Sequence, residues 1–236
     1  MLRRGFAIVT ALAGAAIANA QDGGTDFTPA RFVEGDRSLV NRIKFPKTDG
    51  DALVEVVCRG HATARGRMRD VRCSSTEGPE RDFAGAVRKR LNSSRVEPAT
   101  VNGEPQEVDF QFTIVFERVG QEESITAYLN NGHNVERLGR DYISPQRYSP
   151  HVWPSSCLSW RDNEVIIEIA TVETSGRPSE VRAVTTRSRM VESCGASLTR
   201  QLEEGRWIPA MKDGEFVDAV WMSPIVLSLN LNEVEF

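Results

Sequence analysis

Apolar and polar residues alternate with period two along several short stretches of the chain, and each stretch predicts a strand. The first pair is 53–59 (LVEVVCR) and 68–74 (MRDVRCS), separated by a Gly- and Arg-rich turn. Phe83, Val87 and Leu91 then recur at helical spacing and place one apolar stripe on one face of a helix. A last strand follows, in which Val108, Phe110, Phe112, Ile114 and Phe116 point one way while Asp109, Gln111, Thr113 and Glu117 point the other. That pattern predicts one core face and one solvated face, as in an antiparallel sheet covered on one side.

The same succession is written a second time. Strands are predicted at 164–171 (EVIIEIAT) and 179–185 (SEVRAVT), and Cys194, Leu198 and Leu202 form the helical stripe. The segment RVEPATVNGEP (95–105) is echoed by RWIPAMKDGEF (206–216), and Phe45-Pro46 by Trp153-Pro154. With one residue of slippage, GRMRDVR (66–72) matches GRPSEVR (176–182). A repeat of about eighty residues in one order of elements defines the architecture before any local detail does. The expected fold is α+β: two tandem small domains at 36–118 and 144–236, each an antiparallel three-stranded sheet with helices packed on one face. Residues 21–35 read as a flexible N-terminus and 119–143 as a polar linker. Pro145, Pro150 and Pro154 suggest an extended lead-in to the second copy. In that copy's last strand both faces are apolar. Val220, Met222 and Val226 oppose Trp221 and Ile225, which predicts a second buried surface, and Pro224 belongs at an edge or bulge.

The ends and the cysteines set the compartment. MLRRG, the apolar FAIVTALAGAAIA and the small-residue ANA have the pattern of a secretory signal cleaved after Ala20, and the mature chain carries no transmembrane helix. Four cysteines in an exported chain suggest two disulfides. Of three connectivities, Cys58–Cys73 across the first hairpin and Cys157–Cys194 within the second copy fit the predicted elements. Their loops of about 15 and 37 residues correspond to roughly 3 and 4 kcal/mol of chain entropy. With 33 acidic against 29 basic residues the chain shows no general basic excess, so nucleic acid is not an expected partner.

Taken together, the aromatic-Pro pair, the Gly-tipped hairpin, the D/E-V-R second strand, the helix, RVEPATVNGEP and the alternating last strand resemble the TonB C-terminal domain family. The resemblance implies a small antiparallel sheet with helices on one face, in a periplasmic domain that binds peptide segments by strand addition. The membrane helix and Pro-rich spacer of an energy-transducing TonB are missing, so a binding module is expected rather than a transducer. Strand addition would favour the polar-faced last strand of the first copy, around Thr113 and Val115.

Candidate chemistry is sparse. His61, His133 and His151 are scattered, with no nucleophile beside them in sequence, and read as solvent-exposed. No zinc spacing occurs. No cofactor and no catalytic residue are expected. Arg59, Arg65, Arg67, Arg69 and Arg72 crowd the first hairpin. They offer an alternative role as an envelope-surface patch for cell-wall glycan or anionic glycolipid. The leading expectation is a periplasmic, non-enzymatic interaction module whose partner is another envelope protein.

Overall fold

The computed structural model describes residues 24–75, 80–91, 93–157, 164–185 and 191–227. The leader expected at 1–20 lies outside the described residues. The protein is α+β and largely antiparallel. The first sheet contains β1 (Ala52–Ala62), β2 (Met68–Ser75), β3 (Val108–Val119) and β4 (Glu122–Tyr128), in the order β2-β1-β3-β4. Helix α1 (Glu80–Leu91) packs on β2 and β1. The second sheet, among the described residues, contains β5 (Glu164–Val172), β6 (Pro178–Thr185) and β7 (Ala219–Leu227), in the order β6-β5-β7. Helix α2 (Val191–Glu203) packs on β6 and β5.

The predicted stripes are the core. Phe83, Val87 and Leu91 of α1 lie buried against Val54, Val56, Phe110, Phe112, Ile114 and Phe116. The Phe83 and Phe116 rings meet edge-on at 5.0 Å, and Phe32 meets Phe112 at the same distance. Such contacts add about 0.5–1.5 kcal/mol each beyond burial. In the second half Leu198 and Cys194 pack with Ile166, while Leu202 packs with Trp207 and Trp221.

The repeat extends to single backbone groups. Thr63 N–H donates to the Arg67 carbonyl at 2.8 Å, and Glu173 N–H to that of Arg177 at 2.9 Å. Gly66 and Gly176 sit at φ +69° and +75°, and their carbonyls accept from Val96 N–H and Trp207 N–H. Asp70 and Glu180, one in each second strand, both take positive φ, as do Asn102 and Asp213 in the later turns. In both sheets this leaves a kinked outer strand, a usual way of spoiling an exposed edge.

Two segments differ from expectation. Residues 24–35 are not loose. Phe27–Thr28 pairs with Ala99–Val101, Arg31–Phe32 pairs with Val96–Glu97, and Phe27 and Ala30 are buried. Tyr142–Ile143 and Gln146–Arg147 form the equivalent pairs with Ala210–Lys212 and Trp207–Ile208. Each half therefore opens with two short strands, too brief to reveal a period in the sequence. The linker is structured too. Its residues 122–128 form β4 along β3, with Ile125 and Ala127 packed on the first core.

The halves are also interleaved. Ile208 is buried in the first core, and Phe216 meets Phe27 edge-on at 5.9 Å. Two side-chain amides act as missing strand partners. Gln146 accepts from Ala30 N–H (2.8 Å) and donates to the Ala30 carbonyl (3.0 Å). Asn134 accepts from Val220 N–H (3.1 Å) and donates to the Val220 carbonyl (2.8 Å) on the outer edge of β7.

Candidate binding cleft

The disulfides join Cys58 to Cys73, which stand opposite each other in the first hairpin, and Cys157 to Cys194 on α2. The expected strand-addition site is closed. Thr113 and Val115 lie in the interior of the first sheet, paired to Tyr128 and Thr126 of β4 on one side and to Val57 and Glu55 on the other. The face expected to be wet is covered as well, with Gln111, Thr113 and Val115 all under a tenth exposed. Residues 129–140 lie across it. Thr113 donates to the Asn130 carbonyl (2.8 Å), Asn131 donates to Gln111 Oε1 (2.8 Å), and Gln111 donates to the Met222 carbonyl of β7 (2.9 Å). A polar face is a reliable sign of solvent only when nothing polar stands opposite it; here side-chain amides do.

The arginine cluster is divided. Arg65 and Arg67 are exposed at the hairpin tip, and Arg69 pairs with Glu107 at 2.5 Å. Arg59 and Arg72 instead stand opposite each other on adjacent strands and line a cleft of about 330 Å³ between the two halves. Arg59 donates to Ser223 Oγ of β7 at 2.9 Å. Burial, with the Arg72 charge beside it, holds the Arg59 guanidinium below its ordinary pKa although Asp109 and Glu168 act the other way.

Two of the histidines expected in solvent line this cleft, and each faces a carboxylate. His61 Nδ1 lies 3.1 Å from Asp109 Oδ1, its cross-strand neighbour. The hydrogen bond to Asp109 raises the His61 pKa above its usual range. His151, from the Pro-rich lead-in, lies 3.2 Å from Glu168, which is 1 % exposed. Trp153, Trp221 and Gln111 complete the walls. His133 is exposed. Ser223 shares the cleft with both imidazoles, and its hydroxyl accepts from Arg59.

Glu168 shows how the second copy departs from the first. Its cross-strand partner is Ser223; the matching pair in the first sheet is Cys58 and Phe112, both buried and apolar. The position matching Phe32 holds Arg147, which is 2 % exposed and stacks 5.4 Å over the Trp207 ring. Burial holds this guanidinium below its ordinary pKa, and it donates to the Gln201 carbonyl (3.1 Å) and Ser149 Oγ (3.1 Å). Three core positions that are Cys, Phe and Phe in one copy are thus Glu, Ser and Arg in the other. This polar slot splits the second core into two clusters and opens towards Arg59 of the first sheet. Buried ionisable groups are costly to keep in a core, and a concentration of them in a cleft marks a functional site.

Of the two apolar faces expected of β7, the second is half-buried rather than buried. The contact with the first half is made by the strand's edge and by Ser223 on its inner face, while Val220 and Met222 on the other face are half-buried. Compared with known proteins, the chain matches no family model, no curated protein and no solved structure.

Proposed function

We propose that the protein is an exported, non-enzymatic interaction module of the cell envelope. It is built from two TonB C-terminal-like units, expected at 36–118 and 144–236 and extended by residues 27–32 and β4 in the first and by Tyr142–Ile143 in the second, and takes a partner protein into the cleft between them. The observation that carries this reading is the replacement of core Cys58 and Phe112 by Glu168 and Ser223 at the matching positions, where both line the cleft with Arg59. Substitutions that weaken a core are retained where they serve a surface, and here they furnish one wall of a cleft. Two closed disulfides suit the oxidising periplasm. Among the described residues no helix is long and apolar enough to cross a membrane.

Strand addition has less support as the binding mode. β4 occupies one candidate edge, side-chain amides occupy another, and positive-φ residues kink β2 and β6. The surface-patch alternative, in which the first hairpin meets cell-wall glycan or anionic lipid, also has less support. Only Arg65 and Arg67 of its five arginines stand at the exposed tip without a turn into the cleft or the Glu107 pairing.

In-cell photocrosslinking tests the reading. A photoreactive phenylalanine analogue in place of Trp153 is expected to yield one discrete protein adduct, and the same analogue at the exposed Leu53 (62 % accessible) none. Absence of an adduct at 153, or the same adducts from both sites, refutes it.

A further inference from the structure

Arg65 and Arg67 at the hairpin tip are not alone. Arg88, Lys89 and Arg90 close the last turn of α1. Ser93 and Ser94 fold back on the Arg90 carbonyl, and Arg95 follows them. Arg95 is bridged to Arg67, with Arg65 in the turn beside it. Three segments thus bring these six cations to one end of the first half, and Arg42 joins them by donating to the Ser93 carbonyl. Among the described residues none of these side chains forms an ion pair, although Glu34, Asp36 and Glu97 lie on adjoining segments. Cations in a last helical turn complement the helix dipole. That accounts for the three on α1, not for Arg65, Arg67 and Arg95 on other segments.

The repeat supplies an internal control. At the matching positions the second half has Ser175, Arg177, Thr199, Arg200, Gln201 and Arg206, with Glu203 and Glu204 at the end of its helix. The fold itself therefore does not call for the patch, and the chain as a whole has more acidic than basic residues. The patch also lacks an apolar centre. Among the described residues the exposed large hydrophobics are Leu53 and Val119, at the opposite end of the first sheet, and Val152 and Val184 in the second half. Protein interfaces have an apolar core inside a polar rim. A cluster of about four to eight Arg and Lys without such a core suits the charged headgroups of a bilayer instead.

We propose that this end of the first half rests on an anionic phospholipid surface. Arg predominates in the patch, and its planar fork matches phosphate oxygens. The cleft residues Arg59, His61 and Gln111 lie on the face of the first sheet away from α1, so contact with a membrane leaves the cleft open to its partner. The inference does not depend on the cleft reading.

The test is sedimentation of the mature chain with vesicles of equimolar phosphatidylcholine and phosphatidylglycerol, and with vesicles of phosphatidylcholine alone. Binding is expected only to the mixed vesicles and should weaken as salt is raised. A cation at such a surface corresponds to about fivefold in affinity, so Arg67→Gln combined with Lys89→Gln should weaken binding by about 25-fold. The matching pair in the second half, Arg177→Gln with Arg200→Gln, removes the same charge and should stay within about twofold of wild type. All four residues are exposed, so both variants should keep the wild-type urea midpoint. No binding to the mixed vesicles, equal binding to both kinds, or equal losses in the two variants overturns the proposal. So does release of the chain from the vesicles by polyglutamate at a carboxylate concentration below that of the lipid phosphate, which would give the patch to an acidic protein.

Discussion

Gln146 offers the sharpest test of how the two halves are held together. Its side-chain amide is 2 % exposed and forms both hydrogen bonds of a strand pair with Ala30, which is fully buried. Gln146→Met keeps most of the volume and removes both polar atoms, leaving the Ala30 N–H and C=O buried without partners. Each orphaned group costs about 1–3 kcal/mol, so a loss of about 3 kcal/mol is expected. For a chain of this size that corresponds to a fall in Tm of roughly 6–12 °C. Urea denaturation should show a lower midpoint with an unchanged slope, since the same surface is exposed on unfolding. Amide exchange at Ala30 should accelerate by about 100-fold, the equivalent of the lost free energy. Gln146→Glu should also destabilise, because it keeps the acceptor for Ala30 N–H but buries a charge and loses the donor. The reasoning is refuted if Ala30 exchange in Gln146→Met stays within about threefold of wild type, whatever happens to the midpoint, since the cost would then arise elsewhere.

Three further outcomes follow from the same geometry. Gly66→Ala and Gly176→Ala should each cost more than the ~1–2 kcal/mol of a left-handed residue alone. A methyl group at 66 would stand 2.5 Å from the Val96 carbonyl oxygen, and one at 176 would collide with the Trp207 carbonyl and the Phe27 ring. Gly103→Ala and Gly214→Ala, with open space beside them, should cost only the conformational part, and urea midpoints of the four variants distinguish the cases. The His61–Asp109 pair should contribute stability in full below the unfolded histidine pKa of about 6.5 and lose it as pH rises through the higher folded value. Asp109→Asn should lower the imidazole pKa in an NMR titration and flatten that pH dependence, and an unchanged titration would contradict the assignment. Replacing Cys157 and Cys194 by Ser should cost up to about 4 kcal/mol. The matching change at Cys58 and Cys73 should cost less, because strand pairing already holds that hairpin. Paired unfolding curves decide between them.

Much of the fold was legible because apolar periodicity reports directly on burial. Phe83, Val87 and Leu91 are buried as their spacing predicts, as are Cys194, Leu198 and Leu202, and the Cys58–Cys73 disulfide follows from which strand faces meet. The duplicated turn segments were legible because left-handed backbone demands Gly, Asn or Asp at fixed places. The cleft was not. Glu168 lies in an alternating strand, where a polar residue ordinarily marks the solvent side. Its phase with Ile166 and Ala170 was the one available sign that it points inward. His61 and Asp109 are 48 positions apart, and His151 and Glu168 are 17 apart, so no local spacing announces either pair.

The sequence by itself determined the α+β elements, their repetition, and the facing of Cys58 and Cys73, because these depend on local periodicity and on which residues share a face. Only the tertiary structure decided that β4 closes the edge around Thr113 and Val115. It also set Arg59 and Arg72 along the cleft and wove the N-terminal segment into the second half through Gln146. These outcomes depend on long-range polar partners. An amide, a guanidinium or an imidazole is equally at home in water or opposite a fitting group, and the residue type alone does not say which.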